Sequence, residues 1–597
     1  MSAKRYDVVV VGAGITGAMM AKKLAQNGKN VLLLEAGSDA RLDPASYQPY
    51  IDQYLKSPSG APNAPYPANA NAPSADVRNI GQPSTASYLV QLGPVPFLSD
   101  YTRALGGTTL HWQGTSLRMV PNDFRMQSVY GRGIDWPIAY EDLSRYYGQA
   151  EEEIGVAADV EDQKIHGVTF PRGYVYPMTK IPASYLDQYF IPRLKGMKTP
   201  LYGGQYPVEA ISIPQGRNSI PNPKYNGGAG YKPVSAVGDG DKGLRCQGNS
   251  TCTPLCPVQA KYNALKTLAS IPAGRVEIQT QSIATRLVMD GASGRIRALE
   301  YKKYKTSNGK PDSAAETLRA EATVFVLAAN AIENARLLLS SGAANSSDQV
   351  GRNLMDHPYI YSWGLAPVRL YPYRGPDAIT GIESLRDGKF RQEHAAFRSS
   401  FNNWGWSSFG SPAADVWSGV NAGLFGTALR QRLADTVTRQ VRLGALIEQL
   451  PSASNRVRID PAYPGPLGIP KPVIQYNIES YSLAGCQAFA SIASQVWKRT
   501  GVEEKTDYTA LAGGSFQILG HEGAAFAMMG AGHVVGTHRM GKSRLDSVVA
   551  PSGRTWDHPN LYLVGCGNMP TLGTSNPTLT AAALTYIAAE HVIRDLR

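Results

Sequence analysis

The sequence predicts an α/β protein, on three observations. A Gly-rich fingerprint stands between a buried strand and a helix near the N-terminus, similar strand-and-glycine signals return near the C-terminus, and the material between is unlike either end. Asp7-Val8-Val9-Val10-Val11 is a β-branched run without polar alternation, the pattern of a strand covered on both faces. Gly12-Ala13-Gly14-Ile15-Thr16-Gly17 follows. Residues 18–26 read as a helix stopped at Asn27-Gly28, and Val31-Leu32-Leu33-Leu34 is a second buried strand ending on Glu35. Residues 324–329 make a further buried strand, with a helix after it through Leu339. Residues 561–564 form a strand closed by Gly565-Cys566-Gly567, and residues 581–594 read as a long last helix. Residues 57–75 and 222–243, rich in Pro, Gly and Asn, read as surface excursions, the second leading into a cysteine cluster.

A chain of 597 residues is too long for one simple core and implies two domains, and its 43% hydrophobic content supplies both. No stretch nears the roughly 18 apolar residues of a transmembrane helix, and Met1-Ser2-Ala3-Lys4-Arg5 runs into the first strand without a signal-peptide core. The 59 basic residues exceed the 47 acidic ones but are scattered, which excludes a nucleic-acid patch. A solvated surface accounts for the excess; an acidic redox partner or an anionic membrane face is the alternative.

Gly12, Gly14 and Gly17 match G-x-G-x-x-G in a strand–turn–helix context. The first glycine permits the turn, the second lets backbone approach a pyrophosphate at the helix N-terminus, and the third lets helix and strand pack closely. Glu35, at the end of the next strand, is placed to accept from ribose hydroxyls. The pattern fits FAD and NAD alike.

Cys246, Cys252 and Cys256 are three of only five cysteines, spaced C-x5-C-x3-C-P. Such a loop suits an iron–sulfur core, and three ligands suit 3Fe–4S. A zinc site completed by a histidine, or a disulfide with one free thiol, has the same spacing. Cys486 and Cys566 read as small buried hydrophobes. His533 lies in a Gly-rich stretch that cannot be a stable helix, and Asn576 follows 43 residues later, ahead of the last helix. A neutral imidazole can remove a hydroxyl proton while hydride leaves the same carbon, and an amide can hold the oxygen. On sequence alone, a lone loop histidine is more often structural. His538 and His558 read as structural, and His357 as shaping a turn near the cofactor.

Taken in order, the landmarks resemble the glucose–methanol–choline (GMC) oxidoreductases. They are the N-terminal fingerprint, Arg103-Ala104-Leu105-Gly106-Gly107-Thr108-Thr109-Leu110-His111-Trp112, Pro121-Asn122-Asp123-Phe124 and Asp135-Trp136-Pro137-Ile138. The cysteine loop, Val350-Gly351-Arg352-Asn353-Leu354-Met355-Asp356-His357-Pro358, and the pair His533 and Asn576 complete the set. Within the family the chain is similar to flavoprotein subunits of bacterial membrane-associated sugar dehydrogenases. Two departures are Gly565, where many members carry Asp, and a weak match over residues 366–450.

The resemblance implies FAD at Gly12, Gly14, Gly17, Glu35, Gly106, Gly107 and Thr108, and a 3Fe–4S cluster on Cys246, Cys252 and Cys256. It implies that His533 takes the proton of a sugar or polyol hydroxyl, that hydride passes to flavin N5, and that Asn576 orients the oxygen. A Rossmann-like FAD domain is expected from residues 1–150, 241–365 and 526–597, and a substrate domain with an antiparallel sheet and helices from 151–240 and 366–525. Electrons are expected to pass through the cluster to a cytochrome or quinone-linked acceptor; the alternatives are an oxygen-using GMC sugar or glycoside oxidase with structural cysteines and a non-catalytic electron-carrier subunit. Expected partners are a small signal-bearing subunit and a cytochrome c subunit, on the periplasmic side of the bacterial inner membrane, with the cytoplasm as the alternative.

Overall fold

The computed structural model describes residues 6–37, 88–99, 101–110, 112–233, 245–248, 252, 256, 258–307, 310–311, 315–403, 412–509 and 517–597. The expected excursion at 57–75, residues 234–243 and His111 lie outside them.

Among the described residues, seven strands form the first sheet. Tyr6–Val11 sits at its centre, parallel to Val31–Leu34 on one side and to Glu316–Leu327 on the other. Val276–Gln279 extends the sheet beyond Val31–Leu34, and Leu561–Leu563 pairs with the far end of Glu316–Leu327, all in parallel. The apolar runs at 8–10, 31–34 and 324–327 are buried on both faces: Val8, Val10, Val31, Leu33, Val324 and Val326 pack with helices Ile15–Gln26 and Thr578–Asp595, and the alternate residues face the main core. Strands from the start, middle and end of the chain thus share one core. Helix Ile15–Gln26 begins three residues earlier than expected and stops at Asn27, with Gly28 at φ 74° just beyond.

The second sheet is antiparallel, in the order Gln517–His521, Ala524–Gly530, Pro358–Leu365, Gln440–Ile447, Phe397–Asn402, Thr380–Ile382 and Ala210–Ser212. Pro358–Leu365 therefore lies in this sheet, across the boundary expected at 365. The central strand Gln440–Ile447 is buried throughout. Helix Ser480–Thr500 packs on the sheet and is pinned by Trp497 Nε1, which donates to Ser362 Oγ at 2.7 Å.

One register position matters for the site. Pro358 pairs with Gly530, so the residue before one strand and the loop after the other emerge at the same corner. Those are His357 and the loop 531–533.

Candidate active site

The fingerprint forms a cradle. A Cβ on Gly17 would stand 1.8 Å from Gly12 O, so helix and turn approach this closely only with glycine there. Gly14 caps helix Ile15–Gln26 without a side-chain bond, and a Cβ on it would meet nothing within 4 Å. An uncapped helix N-terminus open to free space suits an anionic pyrophosphate. Gly106 N–H donates to Ala13 O at 3.1 Å, and Gly107 abuts Gly14, bringing the second glycine pair to the same cradle. Thr108 stands exposed beside it, its hydroxyl accepting from Thr102 N–H. Glu35 is buried, and its two oxygens accept from Ala13 N–H at 2.9 Å and Gly37 N–H at 2.8 Å. Burial raises its carboxyl above the usual range, against the pull of those two amides and Arg103. Each oxygen keeps a lone pair for a ribose hydroxyl. The cradle fits the pyrophosphate and ribose of FAD.

At the corner of the second sheet, His533 Nδ1 meets His357 Nδ1 at 2.8 Å, and His533 Nε2 meets Asn576 Nδ2 at 3.1 Å. The outer ends of this line fix its protons. His357 Nε2 lies 2.9 Å from Gly573 O, a carbonyl that only accepts, so that nitrogen carries the hydrogen. His357 Nδ1 is then the acceptor and His533 Nδ1–H the donor. His533 Nε2 keeps its lone pair, received by the Asn576 amide hydrogen. Asn576 Oδ1 accepts from Arg398 Nη1 at 3.1 Å, which orients the amide. Burial, then His357 and Arg398, hold His533 well below the ordinary imidazole range, and burial takes His357 down to about 3.

Asp356 anchors the two histidine backbones. Its Oδ1 accepts from His533 N–H at 2.9 Å and from His357 N–H at 2.8 Å, while Oδ2 accepts from Ala531 N–H and Ser99 Oγ–H. Burial pushes Asp356 up to about 6, against these four donors. Glu383, fully buried, sits between Arg398 (3.0 Å) and Arg386 (3.6 Å). Arg386 reaches the Asn576 loop through Thr574 Oγ1 and Ser575 Oγ. His538 and His558 are held elsewhere, His538 by Asn334 and Asn568 and His558 by Ala344 N–H and Gly294 O.

No disulfide joins any two of the five cysteines. Cys252 and Cys256 are buried and Cys246 half-buried; Cys486 lies inside helix Ser480–Thr500. Burial pushes Cys252 up to about 11, and it lies within electrostatic reach of Arg217, Asp377, Cys256 and Cys246. Among the described residues no three His, Cys, Asp or Glu side chains stand close enough to chelate one metal ion. Thiolates of a cluster each bind a different iron and stand further apart. Arg217, 2% exposed, leaves Nη2 without a hydrogen-bond partner among the described residues, although it flanks Cys252. Its Nε donates to Gln113 O at 2.8 Å, next to the segment that carries Gly106 and Gly107. A buried cation with a spare donor beside three thiols fits an anionic iron–sulfur group.

Family models described as GMC oxidoreductase match residues 229–359 and 451–585, and one described as FAD dependent oxidoreductase matches 7–46. The fructose dehydrogenase large subunit of Gluconobacter japonicus is 32% identical, over 99% of this chain and 98% of its own. The chain belongs to the GMC oxidoreductase family. It is a FAD-dependent oxidoreductase acting on CH–OH donors. Other GMC relatives are paromamine 6'-oxidase of Streptomyces fradiae, 26% identical over 99% of this chain and 92% of its own, and the gluconate 2-dehydrogenase flavoprotein of Pantoea cypripedii, 22% identical over 99% and 94%. Pyridoxine 4-oxidase from Mesorbium loti has the same fold, with a TM-score of 0.58 at 18% identity over 98% of this chain and 99% of that one. Among the described residues of this GMC chain, no helix is long and apolar enough to cross a membrane.

Sequence reasoning missed Arg398, Glu383 and Arg386, which lie in the weakly matched region, and Lys261 and Lys266 beside the thiols. The contact of His357 with His533 had one visible signal, the Asp356-His357-Pro358 motif.

Proposed function

We propose that this chain oxidises a hydroxyl of a sugar or polyol at His533 and Asn576 and delivers the electrons singly, by way of a 3Fe–4S cluster on Cys246, Cys252 and Cys256, to an outside acceptor. The observation that carries the reading is the unbroken hydrogen-bond line from Arg398 through Asn576 and His533 to His357 and Gly573 O. It leaves His533 Nε2 unprotonated at neutral pH and sets it 3.1 Å from the amide of Asn576, so that one hydroxyl oxygen can engage both in place of their mutual bond. His533 Nε2 takes the proton of the substrate hydroxyl. Asn576 Nδ2, which has a second hydrogen, donates to the same oxygen, and His357 goes on accepting from Nδ1–H while the ring is charged.

Bound FAD, held at Gly12, Gly14, Gly17, Glu35, Gly106, Gly107 and Thr108, would supply the hydride acceptor. The cluster, held by the three cysteines, would supply a one-electron carrier. The names of the relatives, a fructose dehydrogenase large subunit and a gluconate 2-dehydrogenase flavoprotein, support a carbohydrate substrate and partner subunits. We infer a small signal-bearing subunit and a cytochrome c subunit as those partners, and the periplasmic side of the inner membrane as the location.

An anaerobic screen of aldoses, ketoses, polyols and sugar acids, following flavin absorbance, tests the reading. Bleaching by at least one of them, with reduction of a ferricyanide-type acceptor and no oxygen uptake, is the expected result. No bleaching by any of them removes the substrate class. Peroxide formation at full rate by a protein without iron makes the chain an oxidase with structural cysteines.

A further inference from the structure

The surroundings of the thiol loop carry more charge than a structural loop needs. Lys261 and Lys266 are 3% and 4% exposed. Their ammonium groups donate to backbone carbonyls, Lys261 to Cys252 O and Lys266 to Gln259 O at 2.8 Å. Among the described residues no carboxylate acts on either, although that of Asp377 acts on the neighbouring Cys252. The charged groups that do are Cys256, Cys252 and Arg217 on Lys261, and Cys256 and Lys261 on Lys266. Arg217 completes the set, with its unused Nη2. Two of its three nitrogens go to main-chain carbonyls, of Gln113 and Asp377. Three buried cations thus gather at one loop, each anchored by neutral carbonyls.

Burying an ammonium away from water is costly unless an anion accompanies it. Removing one charge by replacement with an apolar residue would relieve that cost. Asp377 supplies one negative charge near Cys252; for three cations the rest has to come from the thiolates and whatever they hold. Fixed positive charge in a low-dielectric site stabilises the more negative member of a redox couple.

We propose that Arg217, Lys261 and Lys266 form a cationic wall that sets the reduction potential of the iron–sulfur group high, so that it accepts electrons from within the chain. The redox event is the uptake of one electron by the cluster with no bond made or broken. The two electrons of one substrate oxidation require two such events, each followed by release of one electron to an outer-sphere one-electron oxidant. This inference rests on the cluster reading above, and its test separates the two.

The test is redox potentiometry of the holoprotein followed by electron paramagnetic resonance, with iron analysis, on wild type, Lys266→Met and Lys266→Arg. Lys266→Met keeps the length of the side chain and removes its charge. Its cluster midpoint is expected to fall by at least a tenfold change in the reduction equilibrium, about 59 mV for one electron, while Lys266→Arg stays near wild type. Full iron with an unchanged midpoint in Lys266→Met overturns the wall and leaves the cluster standing. Wild type without iron overturns both. If Lys266→Met assembles no cluster, Lys266→Arg decides: full iron at the wild-type midpoint upholds the need for charge, and loss of iron there too assigns Lys266 to packing and overturns the proposal.

Discussion

His357 and His533 share a single proton between their Nδ1 atoms at 2.8 Å, with ring planes 86° apart. The carbonyl of Gly573 decides which ring owns it. Because His357 must spend its Nε2 hydrogen on that carbonyl, His533 must donate from Nδ1 and keep an unprotonated Nε2, which accepts from Asn576 until a substrate hydroxyl displaces it. A neutral, fully buried imidazole here orients the base, the part a carboxylate plays in serine hydrolases.

Replacing His357 by Leu removes the acceptor and strands the Nδ1 hydrogen. A lost buried hydrogen bond of about 1–3 kcal/mol corresponds to about a ten- to hundredfold drop in kcat/KM, with FAD retained. Steady-state kinetics and the flavin spectrum check it together.

Arg398 lowers His533 by its charge. Protonated His533 cannot act as base, so activity is lost as pH falls through its pKa. Arg398→Gln relieves the depression, and the acid limb of the kcat/KM profile is expected to move to higher pH. An unmoved limb would mean that the guanidinium only orients Asn576.

Gly17→Ala places a methyl against Gly12 O. Overpacking of about 1–3 kcal/mol at the cradle weakens FAD retention by about tenfold or more, measured as flavin released on gel filtration.

Arg391 is fully buried between Asp123, Asp387 and Glu448. Arg391→Met leaves three carboxylates unpaired, and breaking such a group costs about 3–5 kcal/mol. A marked fall in the thermal unfolding midpoint is expected.

What could be read in the sequence was local. The runs at 8–10, 31–34 and 324–327 announce buried strands because both faces are covered, and the fingerprint glycines announce the cradle. Arg398 could not be read, because it sits in Phe397–Asn402, a strand buried at every position, where a charge breaks the pattern instead of following it. Its meaning comes from sheet register, which brings Glu383 and Asn576 to it from residues 15 and 178 positions away. Lys261 and Lys266 look like ordinary surface cations until the fold buries them. The Pro358–Gly530 pairing, which joins the histidines across 176 positions, has no local signature at all.

The most direct measurement is the anaerobic single-turnover bleaching of flavin by a reactive sugar or polyol, in wild type and in His533→Ala, with both proteins at equal FAD content. Loss of the base should slow bleaching by about 10²–10⁴ while leaving the oxidised flavin spectrum unchanged. Bleaching at the wild-type rate in His533→Ala would contradict the role of His533 Nε2, and with it the proposed chemistry.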